Sequence, residues 1–155
     1  MANANTVQLH DKDGNTILPQ TDYSNITNKP NLNNIGNIPA FTGWSSAGVT
    51  FYNGGKNYND ATILTYRYIQ MGNIKLVELK GAATNLTNVG SAFGIPSSVA
   101  PDHSVYAISP TAGSNTLRWH CSGSDGVWTI EASSTGAITA QQFLPINIVY
   151  MTTNS

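Results

Sequence analysis

The side chains in this chain that could do chemistry are mostly aromatic and neutral polar groups. The segment Tyr52-Asn53-Gly54-Gly55-Lys56-Asn57-Tyr58-Asn59-Asp60 puts two tyrosines, a base and an acid into one polar loop. Aromatic rings cover the apolar side of a sugar while fixed polar groups take its hydroxyls, and loops carry binding residues more often than cores do. Tyr52, Tyr58 and Asp60 are therefore candidate saccharide contacts, with a plain solvated loop as the alternative. Asp102-His103 is a second exposed polar pair with the same alternative. Trp119 and Trp128 flank the loop 122–126 and can pair across a hairpin, as a sugar-stacking surface or as core or subunit-interface residues. Trp44 reads as a packing residue.

Other chemistries find little to work with. Glycoside hydrolysis needs two carboxylates roughly 5–9.5 Å apart. Here Asp11 and Asp13 share an N-terminal turn, while Asp60, Glu78, Asp102, Asp125 and Glu131 are scattered. No Gly-x-Ser-x-Gly elbow, phosphate loop or His-Glu-x-x-His pattern is present in the sequence. His10, His103 and His120 lie far apart without metal-ligand spacing, so neither a metal nor a cofactor is expected. Cys121 is the single cysteine and reads as a small, half-buried hydrophobe. Its neighbour His120 points to the opposite face of a strand and is no base for it. The chain reads as non-enzymatic; a depolymerase site assembled across subunits is the one catalytic alternative.

Composition narrows the partners. Charged residues make up 10% of the 155, against roughly 25% in an average soluble protein. Seven basic residues without a run, and a net charge of −1, exclude the phosphate neutralisation that drives nucleic-acid and anionic-membrane binding. No apolar stretch approaches the roughly 18 residues of a spanning helix. The opening Met1-Ala2-Asn3-Ala4-Asn5 has neither the basic nor the apolar region of a signal peptide. Asn, Thr, Ser and Gln with 14 Gly and 7 Pro give the turn-rich balance of a β protein.

The elements that must position the candidates are strands. Val7 to Leu18 reads as a short hairpin turning at Asp13-Gly14, with Pro19 ending it. Residues 21–40 are Asn-rich with sparse apolar positions (Tyr23, Ile26, Leu32, Ile35, Ile38) and read as an extended neck or a disordered linker. From residue 41 the signal is β. Strands are expected at 49–52, 62–71, 74–79, 105–108, 117–121, 127–131 and 146–151, with tight turns at Gly72-Asn73 and Ser122–Gly126. Short strands at roughly 8–12-residue spacing predict a sandwich, jelly roll or barrel.

Two N-terminal segments carry a resemblance. Tyr23-Ser24-Asn25-Ile26-Thr27-Asn28-Lys29-Pro30 resembles a Tyr-Asn-x-Leu-x-Asn-Lys-Pro connector of phage tail fibres, with Ser and Ile as departures. His10-Asp11-Lys12-Asp13-Gly14-Asn15, followed by Ile17, Pro19 and Thr21, resembles an N-terminal element of tail and baseplate proteins. Further on, the hairpin Tyr68–Glu78 and the segment Ser124–Ile130 resemble parts of fibre-tip domains. The crossing Ile95–Pro101 does so without the arginine such tips carry, since Ala100 precedes Pro101.

The family resembled is that of the receptor-binding proteins of tail fibres and baseplates in phages of Gram-positive bacteria. It implies an all-β homotrimer: an attachment hairpin at 1–20, a neck at 21–40, and a β-sandwich or jelly-roll-like head at 41–155. It further implies other virion proteins as partners of the N-terminal segment, and cell-wall polysaccharide or teichoic acid as ligand of the head. Such a protein is made in the host cytoplasm and sits at the virion tail. An architectural fibre, head-fibre or collar protein without a ligand, and a monomeric carbohydrate-binding module, are the rival expectations.

Overall fold

The computed structural model describes residues 9–14, 16–17, 39–112 and 115–154. The chain divides into two units, Met1–Ile38 and Pro39–Ser155. In the first, β1 (Leu9–His10) pairs antiparallel with β2 (Thr16–Ile17). Gly14, at φ 82°, donates its N–H to the Asp11 carbonyl at 3.1 Å and closes the turn. The expected neck, including Tyr23–Pro30, lies outside the described residues apart from Pro39 and Ala40.

The second unit holds two antiparallel sheets. One contains β3 (Thr50–Phe51), β7 (Gly90–Gly94), β10 (Val127–Ser133), β9 (Thr116–Cys121) and β8 (Val105–Pro110), in that spatial order. The other centres on β6 (Ile74–Thr84). On one side of β6 runs β11 (Leu144–Thr152); on the other lie β5 (Thr65–Met71) and β4 (Lys56–Asn57). Among the described residues there is no α-helix, and the only helical turns are 3-10 turns such as Asp60–Thr62 and Ser97–Val99.

Alternation explains the layering. Along β11 the residues Leu144, Ile146, Ile148, Tyr150 and Thr152 are buried, while Asn147, Val149 and Met151 are exposed. That period of two leaves one face for the core and one outward. The inner face meets Val77 and Leu79 of β6 and, from the other sheet, Phe93, Trp119, Cys121, Trp128 and Ile130. The Trp128 and Tyr150 rings, one from each sheet, stand 5.8 Å apart. Each buried aromatic hides roughly 150–250 Å², or about 4–6 kcal/mol of transfer free energy. The described head is an all-β sandwich.

Several boundaries differ from the sequence reading. The strand expected to end at Leu79 continues to Thr84 because Gly81 permits it. At φ 151°, with the Leu64 Cα 2.5 Å from where a Cβ would stand, only glycine fits there. β7 was not anticipated: Gly-Ser-Ala-Phe-Gly has no β-branched residue, yet it fills the slot between β3 and β10. β8 extends through Pro110, which an edge strand tolerates. Lys75 shares the inner face with Val77 but keeps its ammonium satisfied at the rim. Its Nζ donates to the carbonyls of Ser98 at 2.8 Å and Asn154 at 2.9 Å.

Candidate ligand-binding groove

The outward face of β5, β6 and β11 is built of cross-strand rows. Thr65, Lys80 and Asn147 form one row, Arg67, Glu78 and Val149 the next, and Ile69, Leu76 and Met151 a third. The segment before β3 adds itself to the free edge of β5. Thr42 N–H donates to the Tyr68 carbonyl at 2.8 Å, and Ser45 exchanges backbone bonds of 2.8 and 2.9 Å with Tyr66. Tyr66 points inward beside Leu79, so the position before Ser45 lies on the outward side, and Trp44 stands with Arg67. The Arg67 guanidinium lies 4.2 Å from the Phe41 ring centre and 4.4 Å from that of Trp44. Its Nε donates to Glu78 Oε2 at 2.7 Å. One cation thus holds both the aromatic rings and the carboxylate.

Beside this cluster runs a groove of about 580 Å³. Trp44, Thr65, Glu78, Lys80, Phe143 and Asn147 line it. Its far wall is the 3-10 turn Asp60–Thr62, capped by Asn59, whose Oδ1 accepts from Ala61 N–H at 3.0 Å and from the Thr62 hydroxyl at 2.9 Å. Asn57 Oδ1 accepts from Leu64 N–H at 2.8 Å and fixes how the turn re-enters β5. The volume falls within the roughly 300–1,000 Å³ of small-molecule sites. Among the lining residues Glu78 is the only carboxylate, already engaged by Arg67. What the groove offers a ligand is aromatic surface, amide and hydroxyl groups, and the Lys80 ammonium.

The sequence-named residues fall in four places. Tyr58 and Asp60 flank the groove: the Tyr58 ring meets Phe143 edge-on at 5.0 Å, and Asp60 opens the 3-10 turn. Tyr52 is turned away, its N–H donated to the Ala92 carbonyl at 2.9 Å and its ring beside Gly94. The loop 52–60 therefore does not gather its three candidates into one site. Asp102 and His103 lie at the end of β11. Asp102 Oδ2 accepts from the Thr153 hydroxyl at 2.6 Å and amide at 2.9 Å, and its Oδ1 is 2.5 Å from His103 Nδ1. The Thr153 hydroxyl bond foremost, then His103 and the Thr153 amide, hold the Asp102 carboxyl well below the usual carboxylate range.

Trp119 and Trp128 correct the expectation that they offer rings to a sugar. Both are 0% exposed, packed against Phe93 at 5.8 and 6.1 Å between ring centres. The core alternative raised for them is the one the fold adopts. Trp119 Nε1 donates to Ser109 Oγ at 2.7 Å, whereas the Trp128 N–H has no hydrogen-bond partner among the described residues. Cys121 is buried beside them, and burial pushes its thiol pKa up, away from a nucleophile's range.

Sequence reading passed over Lys80, Phe143 and Asn147 and assigned Trp44 to packing. Three distant segments supply these residues. The one signal that bears on them is parity, since Lys80 and Asn147 are the polar members of alternating strands.

No family model matches the chain, and no curated protein matches it. Among solved structures, the receptor binding protein gp15 of Listeria phage PSA is similar in fold. The likeness has a TM-score of 0.56 and 20% identity, over 77% of this chain and 70% of that one. The β-sandwich of this chain is thus similar in fold to that protein.

Proposed function

We propose that this chain is a phage virion protein, a tail-fibre or baseplate component whose β head attaches the particle to saccharide on the host surface. The observation that carries the reading is the fold shared with a phage receptor binding protein over 77% of the chain. The fibre-type connector at Tyr23–Pro30 adds to it from an independent stretch of sequence. The working unit is a homotrimer located at the tail of the virion, with the N-terminal segment as its attachment to other tail or baseplate proteins. The row Ile69, Leu76 and Met151 supports an assembly, because it offers adjoining apolar side chains on an outward sheet face. Three weak saccharide sites held together raise avidity by roughly 10²–10⁴ over one. A particle built this way samples a surface reversibly and then holds.

The test is light scattering on the full chain, followed by retention of labelled protein on cell walls from a panel of Gram-positive bacteria. A mass near three times 16.5 kDa and retention on at least one wall type are expected. A monomer that no wall retains would overturn the reading.

A further inference from the structure

We infer that the groove beside Trp44 is the saccharide site, and that it takes a sugar unit adjoining an anionic group, such as a phosphodiester-linked wall polymer. The inference rests on the adsorption reading above and gives it an address. Three observations converge on this groove. First, aromatic surface is present at both sides: Trp44 is 40% exposed, and Phe143 is braced edge-on by Tyr58. Rings held this way present a flat apolar face without losing rotamer freedom on binding.

Second, polar groups of several kinds stand in register on the floor. Thr65, Lys80 and Asn147 are cross-strand neighbours, so their spacing is set by the sheet rather than by a loop. A hydroxyl, an ammonium and an amide in a fixed row suit the alternating donors and acceptors of a pyranose. Third, the charge is unbalanced. Arg67 and Glu78 satisfy one another at 2.7 Å, whereas among the described residues no carboxylate pairs with the Lys80 ammonium. The Lys80 ammonium lies 5.9 Å from the Trp44 ring centre, a contact that leaves its charge uncompensated, and such a cation beside an aromatic and amide-lined groove favours a ligand carrying negative charge.

Among the described residues no other surface gathers these elements. The Tyr106–His120 rings on the opposite face are stacked, with centres 4.3 Å apart, the pocket beneath Ile108 and Arg118 is about 190 Å³ with no aromatic among its lining residues, and the one beside Asp102 and Met151 is about 160 Å³.

The experiment uses the full chain and an array of bacterial surface saccharides, neutral and phosphodiester-bearing, read alongside the mass in solution. Lys80→Ala and Asn147→Ala alter exposed side chains, and Trp44→Ala removes the ring. Each is expected to weaken binding by about tenfold or more, with phosphodiester-bearing glycans losing most in Lys80→Ala. Tyr106→Ala, on the opposite face, is the control and should bind as the parent does. Binding by the parent that all three groove variants keep within about twofold would overturn the groove and leave the adsorption reading standing. A parent that binds no saccharide would overturn both. Groove variants that lose trimer mass together with binding would reassign the groove to subunit contact and overturn it as a ligand site.

Discussion

Between the sheets and on the outer face of β5, β6 and β11, the head uses tryptophan in opposite ways. Trp119 and Trp128 are fully buried, flank Phe93 and tie the five-stranded sheet to the layer beneath it. Trp44 is held open at the surface by backbone pairing of its neighbour Ser45 and by the Arg67 guanidinium. The side chain is the same, and what differs is the parity of its position against the core. Leu117, Trp119 and Cys121 alternate inward while Arg118 and His120 alternate outward, so strand geometry alone commits Trp119 to the interior. Trp44 sits on no regular strand of its own, and its direction is inherited from Tyr66 across the bridge.

The sharpest way to break this comparison is truncation. Trp119→Ala should cost roughly 3–5 kcal/mol of folding stability, since a large aromatic leaves a cavity in a close-packed core. Trp44→Ala gives up an exposed cation–π contact worth only about 0.5–1 kcal/mol. Chemical denaturation of the two variants measures the contrast. Equal losses would mean that the outer-face segment is as much part of the core as β9 is.

How far the sequence disclosed this arrangement follows from the same parity. The hairpins at Gly72-Asn73 and Ser122–Gly126, and the alternating run 146–151, were readable because each carries its signal within ten residues. The alternation Leu-Arg-Trp-His-Cys puts Trp119 on the apolar face, in keeping with the core alternative for the two tryptophans that flank the loop. β7 was not readable, because Gly90–Gly94 is a strand only by virtue of the neighbours on either side. The groove was not readable either. Trp44, Lys80, Phe143 and Asn147 come from segments up to a hundred residues apart, and only the pairing of β6 with β5 and β11 places them together. Turn chemistry marks the loop 52–60, and the fold sets Tyr58 and Asp60 beside the groove, whereas Tyr52, in that same loop, faces elsewhere.

Within the interior the two tryptophans are themselves unequal, and a gentler substitution tells them apart. Trp119→Phe breaks a buried hydrogen bond and strands the Ser109 hydroxyl, while Trp128→Phe removes an N–H that has no partner among the described residues. Both lose similar ring volume, so their difference isolates the hydrogen bond. Trp119→Phe is expected to be the less stable by about 1 kcal/mol, read from denaturation midpoints at constant slope. A reversed order would show that the Trp128 N–H contributes where the Trp119 bond does not.

The smallest effect belongs to the rim, where Asp102 pins the end of β11. Its carboxylate is stabilised in the fold by the Thr153 hydroxyl and by His103, so its folded pKa lies below the unfolded one. A depressed carboxylate contributes stability that is fully present above its unfolded pKa, and loses it as the pH falls through the folded value. The contribution is therefore intact at neutral pH and fades only in acid, below the ordinary carboxylate range. Because Asp102 is exposed, the change should be local. The Thr153 amide resonance should titrate with a midpoint below that of a free aspartate, and in Asp102→Asn it should lose both the titration and its protection from exchange. The tryptophan resonances of the core should stay still throughout. If they move with Thr153, the rim and the interior are one cooperative unit, and the division between a buried scaffold and an independently held outer surface fails at its edge.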